Sequence, residues 1–218
     1  MSDPSKLQAD EAMQTSVEPK LLSIANENAD ALSTAVLDWA DGLVREAMEA
    51  ECLTVGVMSG GRSGNDPRSL DRLLQAITSR MKTPATNARV LAVRCIDAEL
   101  ATSEVDVVDR IPVAQRSPLG SYCEVELVST ERKRIAPGLN NLPNWLAEWK
   151  NAFQLILVDI GAIDSVAAKS IGRLCDGCYL LLGPYSCGSQ EWIMQHVAWH
   201  NRSGSTVCGT IVAEHKAA

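Results

Sequence analysis

The stretch Cys52-Leu53-Thr54-Val55-Gly56-Val57-Met58, running directly into Ser59-Gly60-Gly61-Arg62-Ser63-Gly64-Asn65-Asp66-Pro67, constrains the fold more than any other part of the chain. A short apolar run without a charge fits a strand covered on both faces. The glycines permit a sharp turn. Asp66-Pro67 then announces a helix, because aspartate is a preferred N-cap and proline in the first helical position forfeits no hydrogen bond. Strand, glycine turn and helix start form the layout in which backbone N–H groups cradle a phosphate.

The rest of the chain alternates apolar runs with helical patterns. Residues 1–19 are polar, with Pro4, Ser16 and Pro19, and are expected to form a mobile leader; residues 20–218 then form one domain. From Leu21 to Glu51 a helical pattern is expected, with Leu32, Val36, Trp39, Leu43 and Ala47 on one face. Leu70, Leu73, Leu74, Ile77 and Met81 form the stripe of a second helix that Pro84 ends. Val90–Val93 is the next strand. Pro112, Pro118 and Gly120 mark a long connection, within which Val105–Val108 fits either a short strand or a helical turn. Tyr122–Val128 alternates Cys123, Val125 and Leu127 against Glu124 and Glu126, a half-exposed strand. Pro137-Gly138 predicts a turn, and residues 142–151 a helix with Trp145, Leu146 and Trp149 inward. Leu155–Asp159 is the clearest strand and ends in a carboxylate. A short helix over 165–174, a strand over 178–182, a helix over 189–201 and a strand over 207–212 complete the chain. The pattern predicts an α/β fold of three layers, a mostly parallel central sheet flanked by helices.

Charge and cysteine content narrow the function. The 218-residue chain carries a net charge of −7, whereas a nucleic-acid surface needs a basic footprint, so no nucleic-acid partner is expected. The cluster Arg132-Lys133-Arg134 is read as a solvated loop. No apolar run approaches the roughly 20 residues of a membrane span, and the N-terminus is unlike a secretory signal. A cytoplasmic protein is expected. Its seven cysteines lie mostly in apolar segments and read as small buried hydrophobes.

The order of elements resembles the cytoplasmic P-loop domain of bacterial capsule and exopolysaccharide tyrosine autokinases, within the wider class of ParA- and MinD-type ATPases. The resemblance covers about residues 20–213. It is strongest from Trp145 to Val212, where a helix leads into Phe153, an apolar strand, Asp159, a helix of small residues, Leu174-Cys175-Asp176-Gly177, a further strand, and Gly183-Pro184. It implies a P-loop NTPase-like fold. In such domains a loop lysine neutralises the β/γ-phosphate charge, a neighbouring Ser or Thr holds Mg²⁺, and a strand-end carboxylate supports the metal.

This chain departs from that pattern at the decisive positions. The motif G-x-x-x-x-G-K-[ST] begun at Gly60 puts Asp66 where the lysine stands and Pro67 where the magnesium hydroxyl stands, and an alignment shifted by one or two residues still finds no lysine. A carboxylate a few ångströms from phosphate costs on the order of several kcal/mol at an effective dielectric of about 20. As an N-cap it also occupies the helix N–H groups a phosphate needs. Arg94 follows Val90–Val93 where the family carries an acid, with Asp97 three residues later. The adenine-facing asparagine of the last strand falls at about Ala213, and the tail 214–218 lacks a tyrosine. Only Asp159 keeps a family role, as the strand-end carboxylate; its bare structural alternative is a cap on the next turn.

The resulting expectation is a catalytically silent relative, with no cofactor and no catalytic residue. It would be a regulatory or binding module for the cytoplasmic segments of a polysaccharide chain-length or export membrane protein, or for a homologous subunit, with a homo-oligomer open. That would make it peripheral at the inner membrane through its partner. Ser59, Gly60, Gly61, Arg62, Ser63 and Gly64 remain the candidate anion-binding residues of the degenerate loop. Two other readings stay open. One is an active kinase or ATPase using ATP and Mg²⁺, its lysine supplied from elsewhere, with Lys169 the first candidate. The other is a metal or redox protein built on Cys175-x-x-Cys178 with Cys187, His196 or His200, although the histidine pair is better read as an exposed helix face.

Overall fold

The computed structural model describes residues 20–24, 34–50, 52–61, 67–81, 89–97, 111–119, 121–131, 134–182 and 189–213. The expected leader, Val105–Val108, Cys187, Gly183-Pro184 and the tail after Ala213 lie outside them. The strands are β1 (Lys20–Ile24), β2 (Leu53–Ser59), β3 (Val90–Asp97), β4 (Gln115–Arg116), β5 (Cys123–Glu131), β6 (Arg134–Ile135), β7 (Leu155–Ala162), β8 (Gly177–Leu182) and β9 (Val207–Ala213). The helices are α1 (Thr34–Glu49), α2 (Pro67–Arg80), α3 (Leu142–Lys150), α4 (Val166–Ile171) and α5 (Gln190–Arg202).

The strands form one sheet in the order β1-β9-β8-β2-β7-β3-β5-β4, with β6 paired to β5. Every pairing is parallel except those of β4 and β6 with β5. The parallel α/β fold expected from the alternation is therefore the fold observed. Each face of the sheet carries its own core. Val36, Trp39, Leu43 and Ala47 of α1 and Leu70, Leu73, Leu74 and Ile77 of α2 pack on alternate residues Leu53, Val55 and Val57 of β2. The other face is covered by Trp145 and Trp149 of α3, Ala167 and Ile171 of α4 and Val197 of α5, against Met58, Ile156, Val158 and Ile160. Because β2, β7 and β8 are buried on both faces, their sequences are continuous apolar runs.

The structure corrects several local expectations. Residues 20–24 are not the start of a helix. They form strand β1, in parallel register with β9 from Lys20 opposite Gly209 to Ile24 opposite Ala213, and helix α1 begins only at Thr34. A partner strand from the far end of the chain overrides the local helical pattern. Pro137-Gly138 opens a 3₁₀ turn, Pro137–Asn141, that leads directly into α3. Arg134 belongs to a short hairpin, opposite Glu131, and not to a free loop. Strand β3 continues past Arg94 and ends at Asp97, so the strand does close on an acid.

One polar cluster ties α2 to the sheet. Arg94 of β3 donates to Asp71 of α2 at 2.5 Å and lies 3.8 Å from Glu124 of β5; the Tyr122 hydroxyl donates to the same Asp71 oxygen at 3.4 Å. The Arg94 and Asp71 side chains are only 15% and 19% exposed, so neither has full access to water. Removing one member leaves the other charge partly buried and unpaired. Arg94→Met is expected to lower unfolding free energy by about 3 kcal/mol, with much of the loss recovered when Asp71→Leu is added. Urea denaturation of both variants checks this. A single-variant loss below about 1 kcal/mol, the value of an exposed ion pair, would contradict it.

Candidate functional site

Strand β2 lies at the centre of the sheet, with β8 on one side and β7 on the other. From β2 the chain crosses through α2 to β3 beyond β7, and from β7 it crosses through α4 to β8 on the opposite side. Ligands of open α/β sheets bind beyond the strand C-termini where the winding direction reverses. The glycine turn leaves β2 at that point.

Ser59 closes β2 and organises the turn. Its carbonyl accepts the Ile163 N–H at 2.9 Å, and its hydroxyl accepts the Gly61 N–H at 3.0 Å. The Gly60 N–H donates to the Leu181 carbonyl of β8 at 3.0 Å. Ser59 itself is only 6% exposed. Ser59, Gly60 and Gly61 form the described part of the turn, and these two glycine N–H groups have acceptors within the protein. Arg62, Ser63 and Gly64, with Asn65 and Asp66, lie outside the described residues.

Asp159 sits on β7 beside this turn. It is the register partner of Val57 on β2 and of Arg94 on β3, so all three occupy the same face of the sheet. Its carboxylate accepts the Gly161 N–H at 3.2 Å. Gly161 has φ of +74°, a left-handed conformation that glycine adopts without strain. Strand β7 runs on to Ala162, so Asp159 lies within the strand and not at its end as expected; its carboxylate holds the backbone of the last residues of β7, and a fixed arginine stands beside it. Lys169, the candidate external lysine, is held elsewhere: its ammonium lies 5.2 Å from the Trp199 ring centroid.

The cysteine motif is a packed thiol pair. Both sulfurs close over Gly56 in the middle of β2, where an added Cβ would lie 2.9 Å from Cys178 Sγ and 3.1 Å from Cys175 Sγ. The Cys178 thiol and burial together push Cys175 well up from its ordinary value; the same contact lowers Cys178, which is fully buried. Cys175 Sγ also lies 3.7 Å from the Ile171 carbonyl, and Cys178 Sγ 3.5 Å from that of Gly172. These are the surroundings of structural thiols. Among the described residues, no group of three or more His, Cys, Asp or Glu side chains is arranged to hold a metal ion.

The histidine pair is not an exposed helix face. His200 is fully buried, and its Nε2 lies 2.8 Å from the Ile163 carbonyl. His196 is half-buried, stacks on Trp192 with centroids 4.1 Å apart, and places Nδ1 2.9 Å from the Trp192 carbonyl. The helical spacing contained the signal: Ile193, Val197 and His200 follow steps of four and three, so His200 continues the buried stripe. The Arg94 cluster was also missed, although Asp71 directly follows Leu70 at the edge of the α2 stripe.

No protein-family model and no curated protein sequence matches the chain. Solved structures do match. The kinase domain of the Escherichia coli tyrosine kinase ETK superposes with a TM-score of 0.60 at 14% identity, over 88% of this chain and 80% of that one. The BceF tyrosine kinase domain gives 0.54 at 12% identity, over 82% and 76%. The VpsO kinase domain gives 0.55 at 12% identity, over 84% of this chain and 100% of that one. No helix among the described residues is long and apolar enough to cross a membrane. At these identities the likeness speaks for architecture alone: the chain has the P-loop-like α/β fold of bacterial tyrosine kinase domains.

Proposed function

We propose that the chain is a catalytically silent relative of the polysaccharide-biosynthesis tyrosine autokinases, serving as a regulatory or binding module of a polysaccharide synthesis or export complex at the membrane. The observation that carries this reading is the sequence Asp66-Pro67 at the place of the phosphate-binding lysine and the magnesium hydroxyl. An acid at that place repels the anion that the lysine attracts. The internal hydrogen bonds of Gly60 and Gly61 agree with it, since two donors of the turn are already engaged. Partners are then the cytoplasmic segments of a chain-length or export membrane protein, or a homologous kinase subunit.

An active kinase or ATPase is the second reading. It draws on Asp159 beside the turn and on Asp97 at the end of β3, two acids on neighbouring strands. Nucleotide titration separates the two. A ligand at a hundredfold its Kd stabilises the native state by about 2.7 kcal/mol. In a chain of this size that raises Tm by about 5–10 °C. MgATP at about 10 mM is therefore expected to leave Tm unchanged, and a rise of that size, equivalent to a Kd of about 100 μM, would overturn the proposal. The double variant Asp66→Lys with Pro67→Thr is expected to acquire a MgATP-dependent rise. If the double variant shows no rise either, Asp66 and Pro67 are not the reason for silence.

A further inference from the structure

His200 is fully buried at the last turn of α5, far along the chain from the glycine turn, yet two hydrogen bonds join them. His200 Nε2 lies 2.8 Å from the Ile163 carbonyl, and the Ile163 N–H donates to the Ser59 carbonyl at 2.9 Å. A carbonyl can only accept, so Nε2 carries the proton and the neutral ring presents a bare lone pair at Nδ1. That Nδ1 is buried and has no hydrogen-bond partner among the described residues. Nearby, the buried Ser205 hydroxyl also lacks a partner, while its N–H donates to the His200 carbonyl at 3.0 Å.

A second proton on this ring would arrive at Nδ1, which has no hydrogen-bond partner among the described residues. The charged groups around it offer no compensation. His196 on α5, Lys169 on α4 and Arg173 on the 3₁₀ turn that follows α4 all oppose a positive ring. Asp164, next to Ile163, is exposed to solvent. The Trp199 ring meets the imidazole edge-on at 5.1 Å. Burial holds His200 below its ordinary value, against the Ile163 hydrogen bond, and the three cations add to the depression.

We propose that His200 is a positioning residue for the glycine turn, and that charging its ring releases the turn. Neutral His200 clamps Ile163, and Ile163 clamps Ser59, whose hydroxyl holds Gly61. An imidazolium cannot stay in the pocket, so the β7–α4 connection and the start of the turn loosen together. The device acts on backbone geometry and stands apart from whether the turn takes a nucleotide. Its sign follows from linkage. A base whose folded pKa lies below its unfolded value contributes its full stability above the unfolded value, near 6.5. That contribution is lost as pH falls through about 6.5 toward the folded pKa.

The test is residue-resolved amide hydrogen exchange on the full chain at about pH 7.5 and pH 5, either side of the ordinary histidine value, corrected for intrinsic rates. In the wild type, protection of the Ile163, Gly60 and Gly61 amides is expected to fall on the order of tenfold or more at the lower pH, ahead of the amides of α1. His200→Gln, whose amide can still donate to Ile163 but does not titrate, is expected to keep that protection at both pH values. His200→Leu is expected to lose it at both. Protection in the wild type that is independent of pH, or that falls equally in His200→Gln, would overturn the proposal. Should His200→Leu not fold, NMR titration of the wild type decides the matter. The His200 ring and the Ile163 and Gly60 amides must share one midpoint, below the ordinary histidine value of about 6.5, and separate midpoints would overturn it.

Discussion

Everything at the centre of this molecule depends on how the last residue of β2 is held. Ser59 takes one N–H from the β7–α4 connection through its carbonyl and another from Gly61 through its hydroxyl. Gly60 reaches sideways to β8. Both neighbouring strands therefore fix the start of the turn. A buried backbone donor must find an acceptor, and here it finds one inside the protein.

Over most of its length the chain superposes on bacterial tyrosine kinase domains at 14% identity or less. Folds of this kind are specified by apolar patterning, which tolerates wide change in sequence. Catalysis is specified by a few side chains at the strand ends. This chain retains the pattern, and in the proposed reading its Asp66-Pro67 stands at the most demanding of those positions. On the neighbouring strands, Arg94 stands in register with Asp159 on the sheet face covered by α2. A fixed cation beside Asp159 alters the local balance of charge that a metal would meet.

Much of the architecture was legible in the sequence because burial on both faces leaves a plain mark. The runs Leu53–Met58, Leu155–Val158 and Cys178–Leu182 contain no charge, and their strands are the innermost. The helix stripes of Val36, Trp39 and Leu43 and of Leu70, Leu74 and Ile77 were equally plain, and all are buried. What escaped was non-local. Strand β1 exists because β9 offers an edge, and nothing near Leu21 announces a partner near residue 210. The thiols of Cys175 and Cys178 read as small buried hydrophobes with a metal site left open, and Gly56, more than a hundred residues earlier, supplies the notch they fill. His200 was judged by its polarity, whereas its helical spacing placed it inside. Polar residues in the core are decided by acceptors that sequence distance hides, here the carbonyl of Ile163.

The most direct measurement is a crystal structure grown with Mg²⁺ and a non-hydrolysable ATP analogue at millimolar concentration. The account predicts that Gly60 and Gly61 keep their bonds to Leu181 and Ser59, with no triphosphate over the turn. Triphosphate oxygens within about 3 Å of the Gly61 nitrogen, with the Ser59 hydroxyl turned away, would contradict it.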